Sequence, residues 1–179
     1  VNITVKTSGV AEARAALAGL SERKIRMIMR RSSSRAAAST RALVVKTVTG
    51  RFGLKASTIK GKRLVSLSKI GNGMKISIKA TRVPAILFGA KQTSEGVSAM
   101  VEKGRREVIK SAFIATMPRG HMGVFQRRGK KRLPIDEQFG PSLITMLQVA
   151  GKSVQSVADH AQRELDKRVN HELDRALRA

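Results

Sequence analysis

The chain has 179 residues, with 36 Lys and Arg against 12 Asp and Glu, so its formal net charge is +24 at pH 7 with histidines neutral. With 41% hydrophobic residues it can close a core, and its length suits one α+β domain over residues 1–179 rather than a disordered chain. There is no run of the ~18 apolar residues that a bilayer-spanning helix needs, no apolar secretory run in Val1–Lys6, and no cysteine for disulfides, thiolate metal sites or thiol nucleophiles. A soluble, non-secreted protein without a membrane partner is expected.

The charge is uneven. Residues 1–70 carry 16 basic and 2 acidic groups and residues 71–140 carry 14 and 5, whereas residues 141–179 carry 6 and 5. Solubility needs only a few charges, and +24 costs self-repulsion in the compact state. The first two-thirds are therefore expected to meet a polyanion or an acidic protein surface.

In chain order, Val1–Lys6 alternates apolar and polar residues and reads as a short strand. Alanine-rich helix signals run from Val10 to about Leu20. A second start follows at Ser21, whose hydroxyl can cap free backbone N–H groups, and this helix is expected over about 21–49. Ile25, Ile28 or Met29, Ser32, Ala36, Thr40, Leu43 and Thr47 trace one face, and Arg23, Arg26, Arg30, Arg31, Arg35, Arg41 and Lys46 mostly take the rest.

Residues 64–80 read as a hairpin around Asn72-Gly73, a pair suited to a type I′ turn, which would set Leu67 opposite Ile78 and Ser68 opposite Ser77. A sheet with a basic arm is expected over 97–140. Val97–Glu102 and Glu107–Thr116 would form a second hairpin, and Val124-Phe125 and Leu133-Pro134-Ile135 would flank an excursion containing Arg127, Arg128, Lys130, Lys131 and Arg132. From 141 to 177, Leu143, Leu147, Ala150, Val154, Val157 or Ala158, Ala161, Leu165, Val169, Leu173 and Leu177 recur at helical spacing, with Gly151 able to bend or break the helix. The expected architecture is an antiparallel sheet of about five or six short strands bracketed by two long helices.

Catalytic patterns are lacking, and the chain reads as a non-enzyme with no catalytic, cofactor-binding or metal-ligating residues. His160 and His171 lie three helical turns apart, about 16 Å, too far to share one metal, and read as solvated or capping groups. His121 has no triad partners in order. Asp136 and Glu137, adjacent on a strand, would point to opposite faces and pair with nearby cations. The five Phe, at 52, 88, 113, 125 and 139, sit in or beside apolar segments and are expected in the core, which disfavours base stacking and leaves backbone-only binding of nucleic acid as the alternative function.

Gly96-Val97, Ser111-Ala112-Phe113-Ile114-Ala115, Gly120-His121-Met122-Gly123-Val124-Phe125-Gln126-Arg127, Leu133-Pro134-Ile135 and Phe139-Gly140-Pro141-Ser142 follow one another in an order that resembles the minor tail protein Z family of lambda-like long-tailed phages and their prophages. Arg51-Phe52-Gly53-Leu54, after the basic helix, is similar to that family as well. The resemblance implies a structural virion protein without cofactors that completes the head-proximal end of a long tail and enables head joining as a ring oligomer. Its implied partners are further copies of itself and the tail tube, tail terminator and head–tail connector proteins, at the neck of the virion and earlier in the host cytoplasm. In that setting Arg127, Arg128, Lys130, Lys131 and Arg132 are expected to form an arm contacting a neighbouring subunit or the neck. The seven basic residues of the long helix would face either DNA in the channel or acidic protein.

Overall fold

The computed structural model describes residues 2–4, 21–118 and 120–178. In chain order the elements are β1 (Asn2–Thr4), α1 (Glu22–Arg51), α2 (Ala56–Gly61), β2 (Val65–Ile70), β3 (Gly73–Ile78), β4 (Arg82–Pro84), a 3-10 turn (Ala85–Phe88), β5 (Lys91–Gln92), β6 (Gly96–Ala99), β7 (Glu107–Lys110), β8 (Ala112–Thr116), β9 (Met122–Arg127), β10 (Ile135–Glu137), β11 (Phe139–Ser142), α3 (Leu143–Val149) and α4 (Val154–Leu177). This is an α+β chain with antiparallel strand pairing and long helices on either side of the strands in sequence. The alanine-rich segment from Val10 to Leu20 lies outside the described residues.

Two compact units are distinguished, one of Val1–Val44, Val65–Ile78 and Lys152–Ala179, the other of Val45–Leu64 and Lys79–Gly151. In the first, Ser21 starts α1 as expected: its hydroxyl accepts from Lys24 N at 3.5 Å and its carbonyl from Ile25 N at 3.1 Å. The buried line along α1 runs Ile28, Ser32, Ala36, Thr40, Val44 and Val48. Leu43 and Thr47, expected on that line, are only partly buried. Steps of four residues overshoot a helical turn by about 40° each, so the line winds around the helix and passes from Thr40 to Val44 instead of Leu43. The Thr40 hydroxyl meets the Ala36 carbonyl at 2.9 Å, which satisfies it inside the helix.

β1, β3 and β2 form one antiparallel sheet in that order. The hairpin is present, but Val65 pairs with Ile78, Leu67 with Ile76 and Ile70 with Gly73, a register two residues away from the expected one. The loop is Gly71-Asn72, with the positive φ of +53° on Gly71, the first central position, where a II′-type turn places its glycine. A two-residue offset preserves the alternation of faces, so Ile76 and Ile78 still reach the core. Ser33 Oγ donates to the Asn72 carbonyl at 3.2 Å and ties this turn to α1. Val157, Ala161 and Leu165 supply the buried face of α4, whose first turn is capped by Ser153 Oγ accepting from Ser156 N at 3.0 Å.

The second unit holds the remaining strands, as the sheets β5-β6-β7, β10-β9-β8 and β11-β4. The strands thus divide among several small sheets where one was expected. Ser111 explains much of this division: at φ +56° it turns the chain between β7 and β8, so the expected strand Glu107–Thr116 becomes two strands with different partners. Ala85, Val97, Ala112 and Val124 form a buried cluster at the centre of this unit.

The expected helix 141–177 is also divided. Phe139–Ser142 is strand β11, Ser142 caps α3 by accepting from Thr145 N at 3.2 Å, and Gly151 at φ +74° separates α3 from α4. Arg51-Phe52-Gly53-Leu54 lies against the segment 100–103. Phe52 bridges to Glu102, Gly53 N donates to the Val101 carbonyl at 3.0 Å, and a Cβ on Gly53 would sit inside the van der Waals envelope of the Met100 carbonyl. Only glycine fits there.

Candidate interaction surface

The basic arm is the tip of the β9–β10 hairpin. β9 and β10 pair Ile135 with Arg127, Asp136 with Gln126 and Glu137 with Phe125, which leaves residues 128–134 as the connecting loop. Phe125 is paired in turn with Phe113 on β8, their ring centroids 6.2 Å apart, so the hairpin stands on a packed aromatic pair.

The five arm cations separate into two groups. The Arg127 guanidinium lies 5.0 Å from the centroid of the Phe113 ring and donates to the Arg132 carbonyl at 2.6 Å. Arg128 forms a bidentate pair with Asp136, at 2.6 Å and 2.8 Å, and its backbone N–H donates to the Pro134 carbonyl at 3.2 Å. These two arginines brace the loop from within. The Lys130, Lys131 and Arg132 side chains are exposed and have no acidic partner among the described residues. Beside them Leu133, expected in a strand, lies in the loop at 65% exposure.

The Arg128 hydrogen bond holds the Asp136 carboxyl below its ordinary value, with the charge attraction adding to it and desolvation opposing both. The same pairing raises the Arg128 guanidinium. Glu137, on the opposite face of β10 as expected, takes His121 rather than Lys or Arg, with Nε2 to Oε1 at 2.9 Å. Gly123 makes room for this contact, since a Cβ there would lie 3.0 Å from Glu137 Oε1 and 3.0 Å from the Phe125 ring.

In the first unit, α1 presents Arg23, Arg26, Arg30, Arg31 and Arg35 to solvent, and Arg41 is partly buried. Lys46, farther along the helix in the second unit, is also exposed. Arg26 faces Glu22 at 3.6 Å on the helix surface, and Arg35 meets Glu172 of α4 at 2.8 Å. Arg23, Arg30, Arg31, Arg41 and Lys46 have no acidic partner among the described residues. Lys24, Arg31 and Arg175 stand around a recess of about 190 Å³ whose apolar lining is Met27, Ile28 and Ala176.

The core expectation holds for Phe52, Phe88 and Phe125, which are buried, whereas Phe113 is partly exposed and Phe139 is 39% exposed. Phe139 is displaced outward because β11 pairs with the short strand β4 and places Gly140, not Phe139, against Phe88. His171 is exposed, but His160 departs from a solvated reading: its Nε2 is buried without a hydrogen-bond partner. Among the described residues no group of three His, Asp or Glu side chains could hold a metal ion, and no helix is long and apolar enough to cross a membrane.

Three features of these surfaces were beyond sequence reasoning: the Arg127–Phe113 stacking, the Arg35–Glu172 pair and the His121–Glu137 contact. Each joins residues distant in sequence, and only Leu133 carried a local signal, an apolar residue directly after Lys130-Lys131-Arg132 and before a proline.

Both basic surfaces carry cations that have no acidic partner among the described residues and so are open to contacts with other molecules. Residues 7–179 match the family model described as prophage minor tail protein Z, and the chain belongs to that family. It is accordingly a structural component of a phage tail that associates with other tail or virion components. No curated protein and no solved structure matches it.

Proposed function

We propose that the protein completes the head-proximal end of a long phage tail and enables head joining, as a ring of copies at the neck of the virion. The observation that carries this reading is the family match over residues 7–179, taken with Arg23, Arg30, Arg31, Arg41, Lys46, Lys130, Lys131 and Arg132, which have no acidic partner among the described residues. In this reading a single domain supplies both surfaces and catalyses no reaction. Its partners are further copies of itself and the tail tube, tail terminator and head–tail connector proteins.

The two basic surfaces take different roles. Arg23, Arg26, Arg30, Arg31, Arg35, Arg41 and Lys46 face the DNA backbone in the channel, because cations spread along a helix suit repeated phosphates and need no base contacts. The arm of Arg127, Arg128, Lys130, Lys131 and Arg132 contacts the neighbouring subunit or neck protein. Assembly without the protein tests the reading: lysates should then contain filled heads and separate tails, and adding purified protein should restore joined, infectious particles. Joined particles formed without it would overturn the proposal.

The uncompensated cations of α1 also favour a second reading, a basic protein that binds nucleic-acid backbone on its own. Tight, steeply salt-dependent binding to duplex DNA or RNA in physiological buffer, together with absence from particles, would favour that reading.

A further inference from the structure

Resting on the tail role above, we infer that the arm tip is a preformed protein-docking wedge: Leu133 enters an apolar pocket of another virion protein whose carboxylates receive Lys130, Lys131 and Arg132. Among the described residues Leu133 is the most exposed of the large hydrophobic side chains, at 65%, and it follows the three unpaired cations directly in the loop. The loop is held from within by Arg127 on the Arg132 carbonyl and on Phe113, and by Arg128 on Asp136 and the Pro134 carbonyl. A loop ordered before contact loses little conformational entropy on binding, so its exposed groups contribute more fully to affinity.

The chemistry of the tip selects the partner class. Three cations alone would suit phosphates, but a phosphate backbone offers no pocket for leucine, whereas a protein surface offers a pocket and a carboxylate rim together. A second copy of this chain is a poor source of that rim. Among the described residues, at least seven of its 12 acidic side chains already face basic side chains of the same chain.

The test places a benzophenone amino acid at position 133 of the full chain, irradiates particles assembled with it, and sequences the adduct by mass spectrometry. The expected adduct is with a different protein, at a segment where Asp or Glu flank apolar residues. It should disappear when Lys130, Lys131 and Arg132 are all replaced by Glu in a protein whose circular dichroism is unchanged. Leu133→Ser should lower the yield of joined particles by at least about tenfold, as expected for loss of a central anchor, while Leu133→Met should retain most of it. A nuclease-sensitive adduct, an adduct with a second copy, or no adduct despite incorporation would overturn the inference and leave the tail role standing. Absence of the protein from particles would overturn the tail role, and the inference with it.

Discussion

Arg128 and Asp136 close the base of the arm through two hydrogen bonds of 2.6 Å and 2.8 Å, so Arg128, like Arg127, is committed to shaping the loop that displays Lys130, Lys131 and Arg132. The pairing lowers the Asp136 carboxyl from its ordinary value. A carboxyl whose folded value is depressed stabilises the folded form above its unfolded value, and that contribution is lost as pH falls through the folded value. The brace is therefore expected to stay closed at neutral pH and to open only in acid below the ordinary carboxylate range. Carbon-detected NMR titration of Asp136 should show the depressed value, and Arg128→Ala should move it back up. An Asp136 titration unchanged by Arg128→Ala would count against the brace.

Arg35 and Glu172 give the first unit the one buried acid with a charged partner among its described residues. Glu172 is 3% exposed, so removing Arg35 leaves a carboxylate desolvated without compensation. Arg35→Met is expected to destabilise this unit by about 2 kcal/mol, on the scale of a lost hydrogen bond to a charged group. Glu172→Gln should cost less, because a neutral amide is cheaper to bury. Urea denaturation of the two single variants and the double variant tests this, and additive effects would show that the pair is not coupled.

Gly53 has no room for a side chain against the Met100 carbonyl, and Gly140 has little: a Cβ there would lie 2.6 Å from the Phe88 ring. Gly53→Ala should destabilise the second unit by about 1–3 kcal/mol, the range for forced overpacking. Gly140→Ala should cost less if the Phe88 ring can tilt. Thermal denaturation reads both, and a neutral Gly53→Ala would mean that segments 51–54 and 100–103 do not pack as described.

The proposed DNA-facing role of α1 makes a quantitative prediction about salt. Each phosphate neutralised steepens the dependence of log affinity on log salt by about 0.9. Replacing Arg23, Arg30, Arg31 and Arg41 with Gln should flatten the slope for duplex DNA by up to about 3–4, in the same proportion, and should do so regardless of DNA sequence. An unchanged slope would turn this face toward acidic protein.

Local signals in the sequence make much of the fold legible. Ser21 marks the start of α1, Gly151 marks the break between α3 and α4, and alternation with a glycine-bearing turn marks the β2–β3 hairpin. Its register escaped because Gly71-Asn72 and Asn72-Gly73 both offer a turn, and the choice also involves contacts such as that of Ser33 with Asn72. The division of the strands escaped because nothing in the residue type of Ser111 announces a positive φ. For the interaction surfaces, sequence identified the cations and their glycine-flanked setting. It could not separate Arg127 and Arg128, which brace the arm, from Lys130, Lys131 and Arg132, which point outward, because that distinction depends on Phe113 and Asp136 being folded beneath them.

The most direct test of the proposed role is to locate the protein in purified virions by gold-labelled antibody and electron microscopy. Label is expected at the junction of head and tail, in a ring around the tail axis. Label confined to the distal tail, or particles free of label, would contradict that role.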